Sequence, residues 1–243
     1  MIQRHFSRGK ARPGGRTLTA SLALVLPGFC LVFTLFASSL LLAQESAVHG
    51  AIHVLHHSGS ESDSADVVIW LTPLQAVAPA PPGPSARLAQ KNKKFIPHVV
   101  AVTQGTEIEF PNQDLFFHNV FSIYQGKTFD LGLYESGAAR KVKFSQPGVS
   151  YIFCNIHPQM SAVVVVLRTR HFAVTDAEGS FQINHVSPGR YKLAVWYELA
   201  PDSELISQER ELEVVPGNND VGKITLHSAD APPEHLNKDG GPR

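Results

Sequence analysis

Sulfur is scarce in this chain. Its 243 residues hold two cysteines and two methionines, which excludes a disulfide-stapled scaffold and any surface built from repeated thioethers. Charge is scarce as well, at 17% of residues, with 21 basic and 21 acidic groups. Five of the basic groups, Arg4, Arg8, Lys10, Arg12 and Arg16, precede residue 44, where no acidic residue occurs; the remainder carries 16 basic against 21 acidic groups. That mildly acidic balance excludes nucleic acid as a partner recognised by a basic surface. No long amphipathic helical pattern is present, and beyond residue 44 the apolar runs are too short to span a bilayer.

What is present begins with an uncharged segment, Thr17 to Gln44, containing LALVLPGFCLVFTLFASSLLLA and ending in small residues near Ala43. It reads as an export signal over residues 1–43, with a retained membrane anchor as the alternative. Phe29 before Cys30 argues against lipoprotein processing. Cleavage leaves Cys154 as the one cysteine of an exported, periplasmic protein, and a lone thiol in an oxidising compartment is either an inert core residue or one consumed by a metal.

The rest reads as short β runs between turn signals. Val48 to Val54 and Asp66 to Leu74 form two strands, followed by the Pro-rich PLQAVAPAPPGPSA, a stiff linker. From Arg87 to Arg168 come FIPHVVAV, QGTEIEF, HNVFSIY, ARKVKF, VSYIFC and SAVVVVL, then FAVTDAEGSFQINHVSPGRYKLAVWYE, Glu209 to Val215 and Lys223 to Leu226. Many short strands predict an all-β chain of sandwich or barrel architecture. The tail from residue 229 is polar and reads as disordered.

Between Phe153 and Met160 the chain reads FCNIHPQM, placing a thiolate, an imidazole and a thioether within seven residues; His118 lies upstream in FFHNVFS. One Cys, two His and one Met form the ligand set of a trigonal copper site with a weak axial thioether. Taken singly, His118 and Met160 are more commonly core residues, and Cys154 joins them to one chemistry. His49, His53 and His57 share a strand face but stand about 13 Å apart at four-residue steps, too far for two to chelate one ion. His98 has no partner at ligand spacing.

Here the sequence resembles the cupredoxins, in particular their amicyanin-like branch. Tyr151, Phe153, Cys154, His157, Pro158 and Met160 match the Cys-x-x-His-Pro-x-Met loop, His118 to Val120 matches the second ligand segment, and Phe95, Pro97, Gly105, Thr106 and Phe110 match the strands before it. The resemblance implies a Greek-key β-sandwich over 87–168 holding one type 1 copper. It implies Cys154, His118 and His157 as equatorial ligands, Met160 as axial ligand, and Asn119 as a hydrogen-bonding tie between the ligand segments. His157 would lie at the apolar, exposed end. The implied function is one-electron transfer between a redox donor and acceptor in the periplasm. Phe153 and Asn155 stand beside Cys154 where multicopper enzymes have a bridging His, so no enzymatic activity is expected. A copper carrier, or a structural or binding module of the cell envelope with accessory copper, are the rival readings.

The segment after residue 168 resembles a carboxypeptidase regulatory-like, transthyretin-type sandwich through TDAEGSF and SPGRY. That family opens with strands that here precede the copper segment, as HGAIHVL and ADVVIWL. The expectation is a second small sandwich split by a cupredoxin insertion: residues 44–76 and 169–228 form it, and 77–86 is the linker. The competing reading gives the N-terminal strands to the cupredoxin.

Overall fold

The computed structural model describes residues 46–56, 63–123 and 126–229. The export segment, His57 and the tail beyond residue 229 lie outside the described residues. Chain order begins with β1 (Ser46–His56) and β2 (Val68–Pro73). Then come β3 (Ala86–Arg87), β4 (Ala89–Lys91), β5 (Lys94–Ile96), β6 (Val99–Thr103), β7 (Glu107–Pro111) and β8 (His118–Ser122). β9 (Phe129–Tyr134), β10 (Ala139–Lys143), β11 (Gly148–Phe153) and β12 (Ser161–Leu167) follow. The last elements are β13 (Phe172–Val174), β14 (Ser180–Val186), β15 (Gly189–Trp196), α1 (Asp202–Ser207), β16 (Arg210–Val214) and β17 (Asn218–Ser228).

Among the described residues the chain is all-β apart from α1. Four elements depart from the sequence reading. β3 and β4 were not expected: they are pairings of two and three residues, too short for a period, and Ala86 of β3 falls inside the stretch read as linker. β9 was not expected: it is an edge strand interrupted by Gly132, which leaves no clean alternation. α1 has one and a half turns, too short for a helical period, and is started by Pro201 with Asp202 and Glu204 in its first turn.

Four sheets stack through three apolar layers. The sheet β10-β7-β3 faces the five-stranded sheet β6-β12-β11-β8-β9 across Leu88, Phe110, Val142, Phe144, Ile152, Val164 and their neighbours. The outer side of that five-stranded sheet carries Val99, Phe121, Tyr151, Phe153, Val163 and Val165 against Val68, with Trp70, Phe172 and Trp196 packed around them. These last residues belong to the sheet β13-β2-β15-β16. Its far side packs Ile69, Leu71, Leu193 and Val195 on Val48, Ile52, Phe181 and Ile224 of the sheet β14-β1-β17. Both middle sheets are thus buried on two faces. This explains why SAVVVVL and VVIWL are continuous apolar runs and not alternating ones.

Pairing divides the strands by sequence position. β1 is the central strand between β14 and β17, and β2 lies between β13 and β15. Strands β3 to β12 pair among themselves. The turn before β14 is built on Asp176, whose carboxylate accepts the Ser180 amide at 2.7 Å. Gly179 there has φ +79°, and a Cβ would fall 2.1 Å from the Ile52 carbonyl oxygen, so only glycine fits against β1.

One test follows from the two central strands. A fragment of residues 170–228 lacks both and is expected to stay unfolded, whereas 46–76 joined to it by a short Gly/Ser linker is expected to melt cooperatively in thermal circular dichroism. A stable 170–228 fragment would show that β1 and β2 are dispensable.

Candidate metal centre

Each donor is delivered by a strand end. β11 is the central strand of its sheet, lies between both apolar layers and stops at Phe153, so Cys154 emerges at that strand's end, fully buried beside Ile152. The chain then turns back: the Met160 amide donates to the His157 carbonyl at 2.9 Å, and the Cys154 amide to the Met160 carbonyl at 3.3 Å. This closed loop holds His157 and Met160 on the same side as Cys154, and Pro158 stiffens it. His118 opens β8, the strand next to β11, where Phe121 is opposite Phe153.

The side chains converge. Cys154 Sγ lies 3.7 Å from the Nδ1 of His118 and 3.7 Å from the Nδ1 of His157, and the two Nδ1 atoms are 3.1 Å apart. Among the described residues these three are the group of His, Cys and carboxylate donors close enough to hold one ion. Separations of this size suit three ligands standing roughly 2.0–2.3 Å from a common ion, the usual range for nitrogen and sulfur donors. Met160 is fully buried in the same cluster as Cys154. The set of one thiolate, two imidazoles and a nearby thioether is soft, unlike the oxygen cages of Ca²⁺ or Mg²⁺.

His118 is oriented by a residue the sequence reading passed over. Its Nε2–H donates to the Asp114 carboxylate at 2.8 Å, leaving the Nδ1 lone pair aimed at Cys154 and His157. Asp114 is itself held by the backbone amides of Asn92 at 2.6 Å and Lys93 at 2.9 Å. Burial pushes its carboxyl up, but the hydrogen bonds from Lys93, His118 and Asn92 together outweigh burial and hold it below the usual carboxylate range. The buried amide of Asn112 fixes the same loop, bonding the carbonyls of Phe116 at 2.8 Å and Tyr134 at 3.2 Å. Partial burial first, then His118 and Lys93, keep the His157 imidazole below its ordinary value, so its Nδ1 stays available as a ligand. Asp114 stands four residues before His118, but nothing in NQDLFFH says which acceptor meets Nε2.

Asn119 corrects one expectation. Its Nδ2 donates to Asp130 on β9 at 2.7 Å, because β8 pairs with β9 on that side. The tie therefore runs across β8 and β9 and not to the Cys154 loop, and the buried Oδ1 has no hydrogen-bond partner. His98, unassigned in sequence, bridges two sheets: Nε2 lies 2.6 Å from Glu198, and Nδ1 lies 3.3 Å from the Ser161 carbonyl. His49 and His53 stand on β1, away from the donor group.

No family model matches this chain, and no curated protein matches it. Solved structures do. A copper-containing nitrite reductase from Thermus scotoductus is 26% identical over 40% of this chain and 26% of that one, with a TM-score of 0.34. The chain therefore spans about a quarter of that enzyme. A purple cupredoxin from Nitrosopumilus maritimus is 23% identical over 34% of this chain and 99% of that one, with a TM-score of 0.31. Amicyanin from Paracoccus versutus is 22% identical over 34% and 81%, with a TM-score of 0.32. These likenesses are partial, and the metal centre is read from its own geometry. The expectation that the chain is not an enzyme is corrected by the first of these matches, since the matched structure is a copper-containing nitrite reductase. Among the described residues, no helix is long and apolar enough to cross a membrane.

Two outcomes are expected. Asp114→Ala strands the buried His118 N–H and releases the amides of Asn92 and Lys93 to solvent, and should lower the stability of the metal-free protein by about 2 kcal/mol in urea unfolding. A loss of fixed His118 tautomer in nitrogen NMR should accompany it, and an unchanged tautomer would remove Asp114 from this role. The second outcome concerns His98, whose pKa is raised, chiefly by the Glu198 hydrogen bond and against the effect of burial. A raised folded-state pKa contributes stability that is complete below the unfolded value of 6.5 and is lost as pH rises through the folded value. His98→Gln should flatten that alkaline decline in the urea midpoint.

Proposed function

We propose that this chain is an exported electron carrier with one type 1 copper, which His118, Cys154, His157 and the thioether of Met160 would hold. The observation that carries the reading is the meeting of two imidazole Nδ1 atoms and one cysteine sulfur within 3.1–3.7 Å at the buried ends of two interior strands. Bound there, copper would supply a one-electron couple between Cu(II) and Cu(I), whose potential the thioether and the surroundings of the thiolate would tune.

The chain's own residues do the rest. Asp114 holds the His118 ring, and the closed loop from Cys154 to Met160 holds His157, so the donors keep one arrangement when the charge at the centre changes. Phe153 and Ile152 lock β11 between two apolar layers and exclude water from the sulfur side. His157 is the partly exposed member, ringed by the exposed side chains of Phe116 and Ile156, and offers the short path for an electron to a partner's surface. The reading extends to organisation. Residues 87–168 form a cupredoxin inserted into a regulatory-like sandwich made of 44–76 and 169–228, through the linker at 77–86. The pairing of β1 and β2 with β13 to β17 supports it, as does the Gly179 hairpin. An apolar layer between the two units then mounts the copper sheet rigidly on its host.

Addition of Cu(II) to the purified protein should load one equivalent, give an intense visible thiolate-to-copper band, and produce a reversible one-electron wave in voltammetry. Cys154→Ser should abolish the band, and Met160→Leu should keep colour and change the potential. A Cys154→Ser protein that stayed blue would end the assignment.

A further inference from the structure

The surface around the donor cluster is apolar, and its exposed charges are unequal. Leu115 is 94% exposed, and Phe117 and Ile156 are also open to solvent. Phe116 belongs to the same surface, its ring centroid 5.1 Å from that of His118 and 5.4 Å from that of His157. Beside it stands the β4–β5 hairpin with Lys91, Lys93 and Lys94, all exposed. Its turn, Asn92 and Lys93, has φ of 54° and 56°, and presents both backbone amides to the Asp114 carboxylate. That clamp pins the lysine hairpin to the residue that orients His118. Lys93 Nζ accordingly lies 5.5 Å from the centroid of the Phe116 ring, a cation resting on the aromatic that touches both imidazoles.

Carboxylates at this end do not cancel the lysines. Asp114 is buried and fully engaged. Glu198 is bound to His98, with only 14% of its side chain exposed. Glu135 is exposed, next to the Tyr134 that pairs with His118, but Arg140 stands 5.8 Å from the Tyr134 ring. The chain beyond residue 44 carries 16 basic against 21 acidic groups, so a positive field at this surface arises from local placement and runs against the net charge.

We propose that this face docks a redox protein whose contact surface is apolar at its centre and acidic at its rim, with Lys91, Lys93 and Lys94 steering it over Phe116 and His157. The proposal rests on the electron-carrier reading and adds the partner's chemistry to it. An apolar centre sets close approach, and charges at the rim set encounter rate and orientation.

The test uses the copper-loaded full chain with two small redox probes in stopped flow. Ferrocyanide gives one electron to Cu(II), becoming ferricyanide; a cationic cobalt(III) tris-phenanthroline complex takes one electron from Cu(I). Raising ionic strength from about 10 to about 200 mM should slow the ferrocyanide reaction and leave the cobalt reaction unchanged or faster. Lys93→Glu/Lys94→Glu should cut the low-salt ferrocyanide rate about tenfold. Lys91→Glu/Lys94→Glu, which spares the clamp residue, should act in the same direction, and Lys223→Glu on β17 should not. Absence of copper uptake or of any electron transfer would sink the carrier reading itself. Electron transfer that ignores salt and both lysine reversals would sink this proposal alone. A concentration-dependent dimer in sedimentation that the same reversals dissolve would assign the face to a second copy. Co-sedimentation with anionic phosphatidylglycerol vesicles, lost in the same variants while probe kinetics stay unchanged, would assign it to a membrane. Either result overturns the proposal.

Discussion

Burial of the five-stranded sheet on both faces is the constraint on which the rest of the molecule depends. Ile152 and Cys154 point into one apolar layer and Tyr151 and Phe153 into the other, so β11 is gripped from two sides as it reaches the donor cluster. A fully buried aromatic or aliphatic side chain contributes roughly 1.5–3 kcal/mol, and several such residues on each face leave β11 little freedom to slide or twist. A strand shifted by one residue would send Cys154 into the wrong layer. The position of the sulfur is thus set by packing across the whole sheet and not by the loop that follows it.

Around that fixed sulfur the polar groups are arranged in a chain of restraint. The amides of a lysine hairpin hold Asp114, Asp114 holds the His118 ring, and Asn112 closes the loop between them. Asp114, the His118 ring and the Asn112 amide each find partners in this series, as a low-dielectric site demands. The same hairpin brings Lys93 over Phe116. One short turn therefore serves two ends, ordering a donor and charging the surface through which a partner would approach.

The sheet β13-β2-β15-β16 gives the five-stranded sheet its outer cover. Trp70, Phe172 and Trp196 pack where a lone small sandwich would face water, which is why Tyr151, Phe153 and Val163 are apolar on a side that would otherwise be polar. His98 and Glu198 add a polar bond between the connection before β6 and the end of β15. A Pro-rich crossing near residues 73–86 and an Arg-containing one near 168–171 carry the chain between these sheets.

The all-β class and the meeting of His118, Cys154 and His157 were legible in the chain itself. Strand runs and turn residues are local signals, and FCNIHPQM confines three donors to one turn by spacing alone. Continuous apolar runs at SAVVVVL and VVIWL announced burial on two faces without saying against what. Tertiary structure alone decided that Asp114 and not a more distant group meets His118 Nε2, that Asn119 ties to Asp130, that His98 finds Glu198 a hundred residues away, and that Lys93 lies over Phe116. Such contacts join segments whose separation in sequence carries no period and no propensity. They exist because sheets stacked face to face fix the ends of remote strands within a few ångströms of one another, and only the assembled stack sets which polar groups share an edge.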